Sequence, residues 1–376
     1  VEDIDIATPL PPEEVMTALK VAGIKAIPTG LDHGTITAVI KSKNVEITTL
    51  RKDVETDGRR ATVAFTQSWL EDAKRRDFTV NTLLADLEGN IYDPTGSGIP
   101  DLEKGIIRFV GNPEQRIRED VLRILRFFRF HSFYGAGKPD KDALDACRKL
   151  AGLIPELSKE RITQEFSKIL DSDNVVETLS IMTENNIMND LLSEYKAESF
   201  QKLIRFQSML QDHNLVANLV ARYLCVFNLK EEQFQHSQKS ILFTNEQLKH
   251  KKNILRAIAI INDQIKTKHF ATKSDFLKRA KINVYKNGKV AAIQAYLLKA
   301  SAGDLDTDIV QSCVHDLQEC DIPEFPVNGK DLQKLGVTPG KNMGHILKQI
   351  ENWWIENDFM PDRKSCMNYA EKYLLN

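Results

Sequence analysis

Cysteine is scarce and scattered. Cys147, Cys225, Cys313, Cys320 and Cys366 form no Cys-x-x-Cys pair, which argues against a zinc site or a disulfide framework and suits a reducing compartment. Long apolar runs are missing too. The longest clean one inside a helical pattern covers 257–261, far too short to cross a bilayer. The sequence opens on Val1 without a basic-then-apolar stretch, so no secretory signal is read. No fixed repeat period and no low-complexity tract occur. Net charge is −2, so a polyanionic partner has to be met by local basic clusters rather than by an overall field.

What is present is an ordinary globular composition, 42% apolar and 28% charged over 376 residues, enough for two or three domains. Residues 1–112 read as α/β. An Asp-rich strand opens the chain, and prolines and acids at 11–14 start a helix that runs to about 22. Strand patterns at 34–40 and 45–50 flank a turn at 42–44 and predict a hairpin. The charged segment 51–60 reads as an exposed mobile loop, 68–75 as a helix, 78–86 as its continuation or a second helix, and 106–110 as a last strand. From 113 strand signals vanish. A strong helix is predicted over 116–133, one capped by Ser158 over 159–170, and others to the end, with a further division near 190.

Four stretches carry chemistry. In Val1-Glu2-Asp3-Ile4-Asp5-Ile6 a strand puts Asp3 and Asp5 on one face, where the carboxylates repel unless a cation lies between them. A divalent metal and a merely acidic edge strand both fit. Glu46 leaves its strand opposite Val45 and Ile47, either as a third carboxylate on that face or as a solvated residue. Gly30-Leu31-Asp32-His33-Gly34-Thr35 is a phosphate-approaching loop or a plain β-turn. In Arg75-Arg76-Asp77-Phe78-Thr79-Val80-Asn81 an Asp beside two arginines can orient a phosphate clamp, and Asn81 can reach a ribose; a helix start behind a charged face is the plain reading.

The most specific stretch is Glu119-Asp120-Val121-Leu122-Arg123-Ile124-Leu125-Arg126-Phe127-Phe128-Arg129-Phe130. Asp120, Arg123, Arg126 and Arg129 recur every three residues, so on one helix each neighbours the next, with phenylalanines behind. An Asp and an Arg held side by side offer acceptor and donor to a base edge; the plain alternative is an intrahelical salt-bridge ladder. In the helical part, 335–340 is a helix end and turn, or a place where amides entering the next helix receive an RNA phosphate, and the basic runs at 249–252 and 266–268 are polyanion contacts or solvated faces. Trp353 and Trp354 read as core and rim of the final helix.

With these motifs in this order over residues 1–170, the chain resembles the class II tRNA nucleotidyltransferases, the CCA-adding enzymes, and their bacterial poly(A) polymerase relatives. The resemblance implies an α/β nucleotidyltransferase head, a small mixed β-sheet with helices, followed by an all-α neck, body and tail. It divides the chain into a catalytic head at 1–112, a helical neck with the nucleotide-recognition helix at 113–190, and a tRNA-binding body and tail at 191–376. It implies that Asp3 and Asp5 hold two catalytic Mg²⁺ with Glu46 in support. Arg76, Asp77 and Asn81 would hold triphosphate and ribose, and Asp120 and Arg123 would read the base of CTP or ATP with Arg126 and Arg129 nearby. Partners are then tRNA, CTP and ATP, with no membrane, in a bacterial-type cytoplasm or an organellar matrix.

The family also carries Gly-Gly-x-x-Arg-Asp upstream of the Asp-x-Asp strand, and nothing precedes Val1 here. The expectation is an N-terminally truncated chain whose activity is impaired by loss of a phosphate-binding turn and a neighbouring strand. Addition of C, C and A to tRNA 3′ ends is the first reading. Poly(A) polymerase activity and an impaired tRNA-binding protein are the alternatives.

Overall fold

Alternating polar and apolar residues set up the first sheet in the computed structural model, which describes residues 4–41, 43–57, 60–210, 215–266 and 272–375. Strands β1 (Asp5–Thr8), β2 (Lys25–Gly30), β3 (Thr35–Ile40) and β4 (Lys43–Thr49) lie in the order β1-β4-β3-β2. The β1–β4 pair is parallel and the other two are antiparallel, so the sheet is mixed. One face buries Ile36, Ala38 and Thr49 beneath helix α1 (Pro12–Val21), which contributes Val15 and begins at the expected prolines. The period of two sends Asp5, Glu46, Thr35, Thr37 and Thr48 to the opposite face. The hydroxyls there pair across strands, Thr29 with Thr37 at 2.8 Å and Thr35 with Thr48 at 3.2 Å.

Strand β2 has no counterpart among the expected elements, and it contains Pro28. The proline is tolerated because β2 is a sheet edge, and the register shifts between Ile27 and Gly30 around the missing N–H. Of the loop expected over 51–60, residues 51–57 are strand, and 58 and 59 lie outside the described residues. Strands β5 (Arg51–Asp57) and β6 (Arg60–Phe65) form an antiparallel hairpin running from Arg51↔Phe65 to Asp57↔Arg60. Local pairing satisfies the backbone whatever the charge, and Asp57-Gly58 is as good a hairpin-turn signal as a loop signal.

After helix α2 (Trp69–Lys74) the predicted helix over 78–86 does not form. The chain makes a 3₁₀ turn at Thr79–Thr82 and then the short pair β7 (Leu84–Ala85) and β8 (Ile91–Tyr92). Phe78 is extended and bridges Phe109, with Thr79 N–H bonded to Arg108 O and Val110 N–H to Asp77 O, both at 2.9 Å. That exchange replaces helical bonding, and it is all that remains of the predicted strand over 106–110.

Next come α3 (Gly98–Glu103), α4 (Pro113–Glu119), α5 (Arg123–Tyr134), α6 (Lys141–Leu150), α7 (Lys159–Leu170), α8 (Val175–Glu184) and α9 (Asn189–Leu192). The single helix predicted over 116–133 is therefore two. Asp120 is extended (φ −153°, ψ 107°) and its Oδ1 accepts Leu122 N–H at 3.1 Å, a local bond that competes with helix. Ser158 occupies the N-cap of α7 but its side chain makes no capping bond. Behind α5, rings of Phe78 and Phe109 (4.9 Å), Phe78 and Phe130 (5.2 Å) and Phe109 and Phe127 (5.9 Å) form an aromatic core.

Contacts divide the chain into one unit of Val1–Ser193 with Gln235–Leu242, and another of Glu194–Phe234 with Phe243–Asn376. The described part of the second is helical. Its long helix Asn245–Lys266 buries Ile254, Ala257, Ile258 and Ile261, and Trp354 anchors a cluster with Ile346, Ile350 and Phe359. Trp353 stacks on Tyr369 at 4.4 Å and is only partly buried while Trp354 is the core residue, the reverse of the expected order. Gly336 (φ 81°) ends the helix Gly329–Lys334 as the C′ residue, with Val337 N–H bonded to Leu332 O.

Gly34 needs its glycine. Its φ is 78°, and a Cβ there would lie 2.8 Å from Phe65 Cε1 and 3.1 Å from Thr49 Cβ. The Gly30–Thr35 stretch links β2 to β3 through a 3₁₀ turn at Leu31–His33, and Gly34 O accepts Thr49 N–H, so the geometry is that of the structural turn. Gly34→Ala is expected to cost about 1–2 kcal/mol from the left-handed backbone alone. An unchanged thermal midpoint for this variant would refute the argument.

Candidate active site

Asp5 and Glu46 are register partners on neighbouring parallel strands, so their side chains leave the same face side by side. Both are exposed, and among the described residues neither carboxylate has a hydrogen bond or ion pair. Like charges directly opposite each other destabilise a sheet, so this pair has a cost that the fold alone does not explain. The donor set suits a hard divalent cation, which takes carboxylate oxygens. Asp3, the other predicted ligand, lies outside the described residues, and no three Asp, Glu, His or Cys side chains group as a metal site among those described.

The arginine segment after α2 is fixed by a residue that the motif reading passed over, Asp72. Its Oδ1 accepts Arg75 Nε at 2.9 Å and the backbone N–H of Arg51 at 3.2 Å, and its Oδ2 accepts Arg76 Nε at 3.2 Å and Nη2 at 3.1 Å. Asp72 thus holds both arginines against the first residue of β5. Burial opposes ionisation of Asp72, but Arg75, Arg76 and the Arg51 N–H outweigh it and hold the carboxyl below its usual range. The signal was legible, since the Asp precedes the arginines by three and four residues, the spacing of neighbours on a helical turn. Arg76 Nη1 also donates to Asn81 O at 3.0 Å.

Asp77 orients a guanidinium, but a distant one. Its Oδ2 accepts Arg126 Nε at 2.6 Å, while Oδ1 accepts Asn81 Nδ2 at 2.8 Å and Phe78 N–H at 3.0 Å. Burial again works against its charge, and Arg126, Asn81 and the Phe78 N–H together keep its carboxyl below the usual range. The structure therefore joins Arg76, Asp77, Asn81 and Arg126 into one network.

Asp120 and Arg123 are not paired with each other, and the break at Asp120 removes the continuous polar stripe. Asp120 Oδ2 accepts Arg161 Nη2 from α7 at 2.7 Å. Arg123 Nη1 donates to Glu119 Oε2 at 2.7 Å and to Arg116 O at 2.8 Å. Arg129 Nε donates to Glu165 at 2.6 Å, and its guanidinium lies over the Phe130 ring at 4.3 Å. The intrahelical Asp–Arg ladder between Asp120 and Arg123 is absent, and each of the four arginine-stripe residues is held by a group from outside that stripe. Arg161 and Glu165 could not be seen from the motif because they lie some forty residues on. Among the basic runs, Lys251 is engaged locally, over the Phe234 ring at 3.7 Å and paired with Glu231 at 2.9 Å; residues 267 and 268 lie outside the described residues.

Three family models match consecutive parts of the chain: "Poly A polymerase head domain" over 1–108, "Probable RNA and SrmB- binding site of polymerase A" over 138–199, and "tRNA nucleotidyltransferase domain 2 putative" over 215–370. The mitochondrial CCA tRNA nucleotidyltransferase 1 of Danio rerio is 32% identical over 376 residues, which span 98% of this chain and 82% of that protein. The CCA-adding enzyme of Ligilactobacillus salivarius is 30% identical, spanning 100% and 89%. Among solved structures, the Bacillus stearothermophilus CCA-adding enzyme in complex with CTP superposes with a TM-score of 0.69 at 24% identity, over 100% of this chain and 89% of that one. The Thermotoga maritima CCA-adding enzyme complexed with tRNA gives 0.70 at 17% identity, over 100% and 87%. These two share the fold. No helix among the described residues is long and apolar enough to cross a membrane.

Proposed function

The chain belongs to the CCA tRNA nucleotidyltransferase family, and we propose that it adds C, C and A in turn to the 3′ end of tRNA from CTP and ATP. The observation that carries this reading at the level of residues is the in-register pair of exposed carboxylates, Asp5 and Glu46, on a polar sheet face. The tRNA 3′-hydroxyl attacks the α-phosphate, a new ester forms, and the α–β bond breaks to release pyrophosphate. Asp3 and Asp5 would hold two Mg²⁺ with Glu46 beside them, and these ions would neutralise phosphoryl charge and polarise its oxygens. Arg76, pre-oriented by Asp72, would bind triphosphate, and Asn81, held by Asp77, would meet the ribose. Asp120 and Arg123 retain a free lone pair and unspent N–H groups respectively, enough to read a base edge, with Arg126 and Arg129 alongside. Residues 1–112 would be the catalytic head, 113–190 the neck and 191–376 the tRNA-binding body and tail. A bacterial cytoplasm or an organellar matrix suits relatives of both origins.

A second reading, poly(A) addition, is favoured by the name of the head-domain model alone. One assay separates the two. Given tRNA lacking CCA, the chain is expected to incorporate labelled CTP twice and then one labelled ATP. Long A tails without CTP use would overturn this choice, and tRNA binding without any turnover would make the chain an RNA-binding protein.

A further inference from the structure

We propose that Arg116 is a positioning residue that ties the phosphate-side arginines to the base-reading arginine of the same site. This rests on the reading above. Arg116 lies in α4 and is only 8% exposed. Its Nη2 donates to Arg76 O at 2.7 Å and also to Arg75 O, and its Nη1 donates to Glu119. Glu119 Oε2 accepts Arg123 as well, and Arg123 returns a bond to the carbonyl of Arg116 at 2.8 Å. One buried cation therefore connects the backbone that carries Arg75 and Arg76 to the first residue of α5. Because a single Glu119 oxygen serves both guanidiniums, a shift of Arg116 displaces Arg123.

The carbonyls of Arg75 and Arg76 close the C-terminal end of α2, so a plain helix cap is the competing role. The two roles separate in kinetics. A cap lowers thermal stability and leaves each folded molecule with unaltered KM and base selection. A positioning residue alters both in a protein that stays folded, because small displacements of substrate-holding groups are amplified in rate.

The test uses Arg116→Lys and Arg116→Met in the full chain, with tRNA substrates lacking CCA and ending in CC. Arg116→Lys keeps the charge but cannot span both carbonyls and Glu119. It is expected to raise KM for CTP and ATP about tenfold and to lower discrimination of CTP over UTP by a similar factor. Arg116→Met is expected to lose more of both, and should it fail to fold, Arg116→Lys alone carries the test. If an active wild-type chain is matched by Arg116→Lys in KM and discrimination per folded molecule, the inference is overturned and Arg116 is a cap. A wild-type chain that incorporates neither nucleotide overturns the functional reading first, and the inference with it.

Discussion

Asp5→Ala is expected to abolish nucleotide incorporation, lowering kcat by at least about 10³-fold, while tRNA affinity changes less than about twofold. The argument combines exposure with register. Asp5 is exposed and without a partner among the described residues, so no packed contact is lost with it. Its register partner is Glu46, another carboxylate, and removing one of two like charges directly opposite relieves repulsion of about 0.2–1 kcal/mol. The variant is thus expected to be as stable as the parent or slightly more so, and inactive. That combination distinguishes a catalytic carboxylate from a structural one, whose loss destabilises. Glu46→Ala is expected to follow with a smaller loss of rate. Incorporation measured on tRNA lacking CCA, beside a thermal melt and a tRNA-binding titration, settles the point: retained turnover in Asp5→Ala sinks the metal-ligand assignment.

Local chemistry was readable wherever a motif and its geometry lay within one turn or one strand. Alternation around Asp5 and Glu46 placed both on the polar face, and the register that makes them partners agrees with it. Prolines at 11 and 12 marked the start of α1. The failures have a common physical cause, bonds made to distant sequence. Phe78 is extended because its neighbours bond to 108–110, which no helical propensity anticipates. Pro28 sits in a strand because that strand is an edge. Asp120 breaks its helix with its own side chain, a competition that periodicity ignores. Arg161, Glu165 and Arg116 organise the site through contacts that the linear motif does not contain.

Asp77→Ala is expected to damage both fold and activity, because this carboxylate serves three donors at once. Arg126, Asn81 and the Phe78 N–H all lose their acceptor, and Asp77 itself is only 9% exposed. Breaking a fully buried pair costs about 3–5 kcal/mol, and because Arg126 keeps 31% of its side chain in water a smaller cost, about 2–3 kcal/mol, applies here. Asp77→Asn keeps volume and an acceptor for Phe78 but removes the charge, so it is expected to lose less stability while releasing Arg126. The pH dependence then identifies the charge. The folded state holds the Asp77 carboxyl below its ordinary value of 3.8, because Arg126, Asn81 and the Phe78 N–H outweigh the burial that would raise it. A depressed value contributes stability that is present above the unfolded value and lost as pH falls through the folded one. The gap in thermal midpoint between the parent and Asp77→Asn is therefore expected to be full at neutral pH and to close below about pH 4. A gap that persists unchanged to lower pH would mean that Asp77 stabilises by shape and hydrogen bonding alone, and that Arg126 is placed by its own helix rather than by this ion pair.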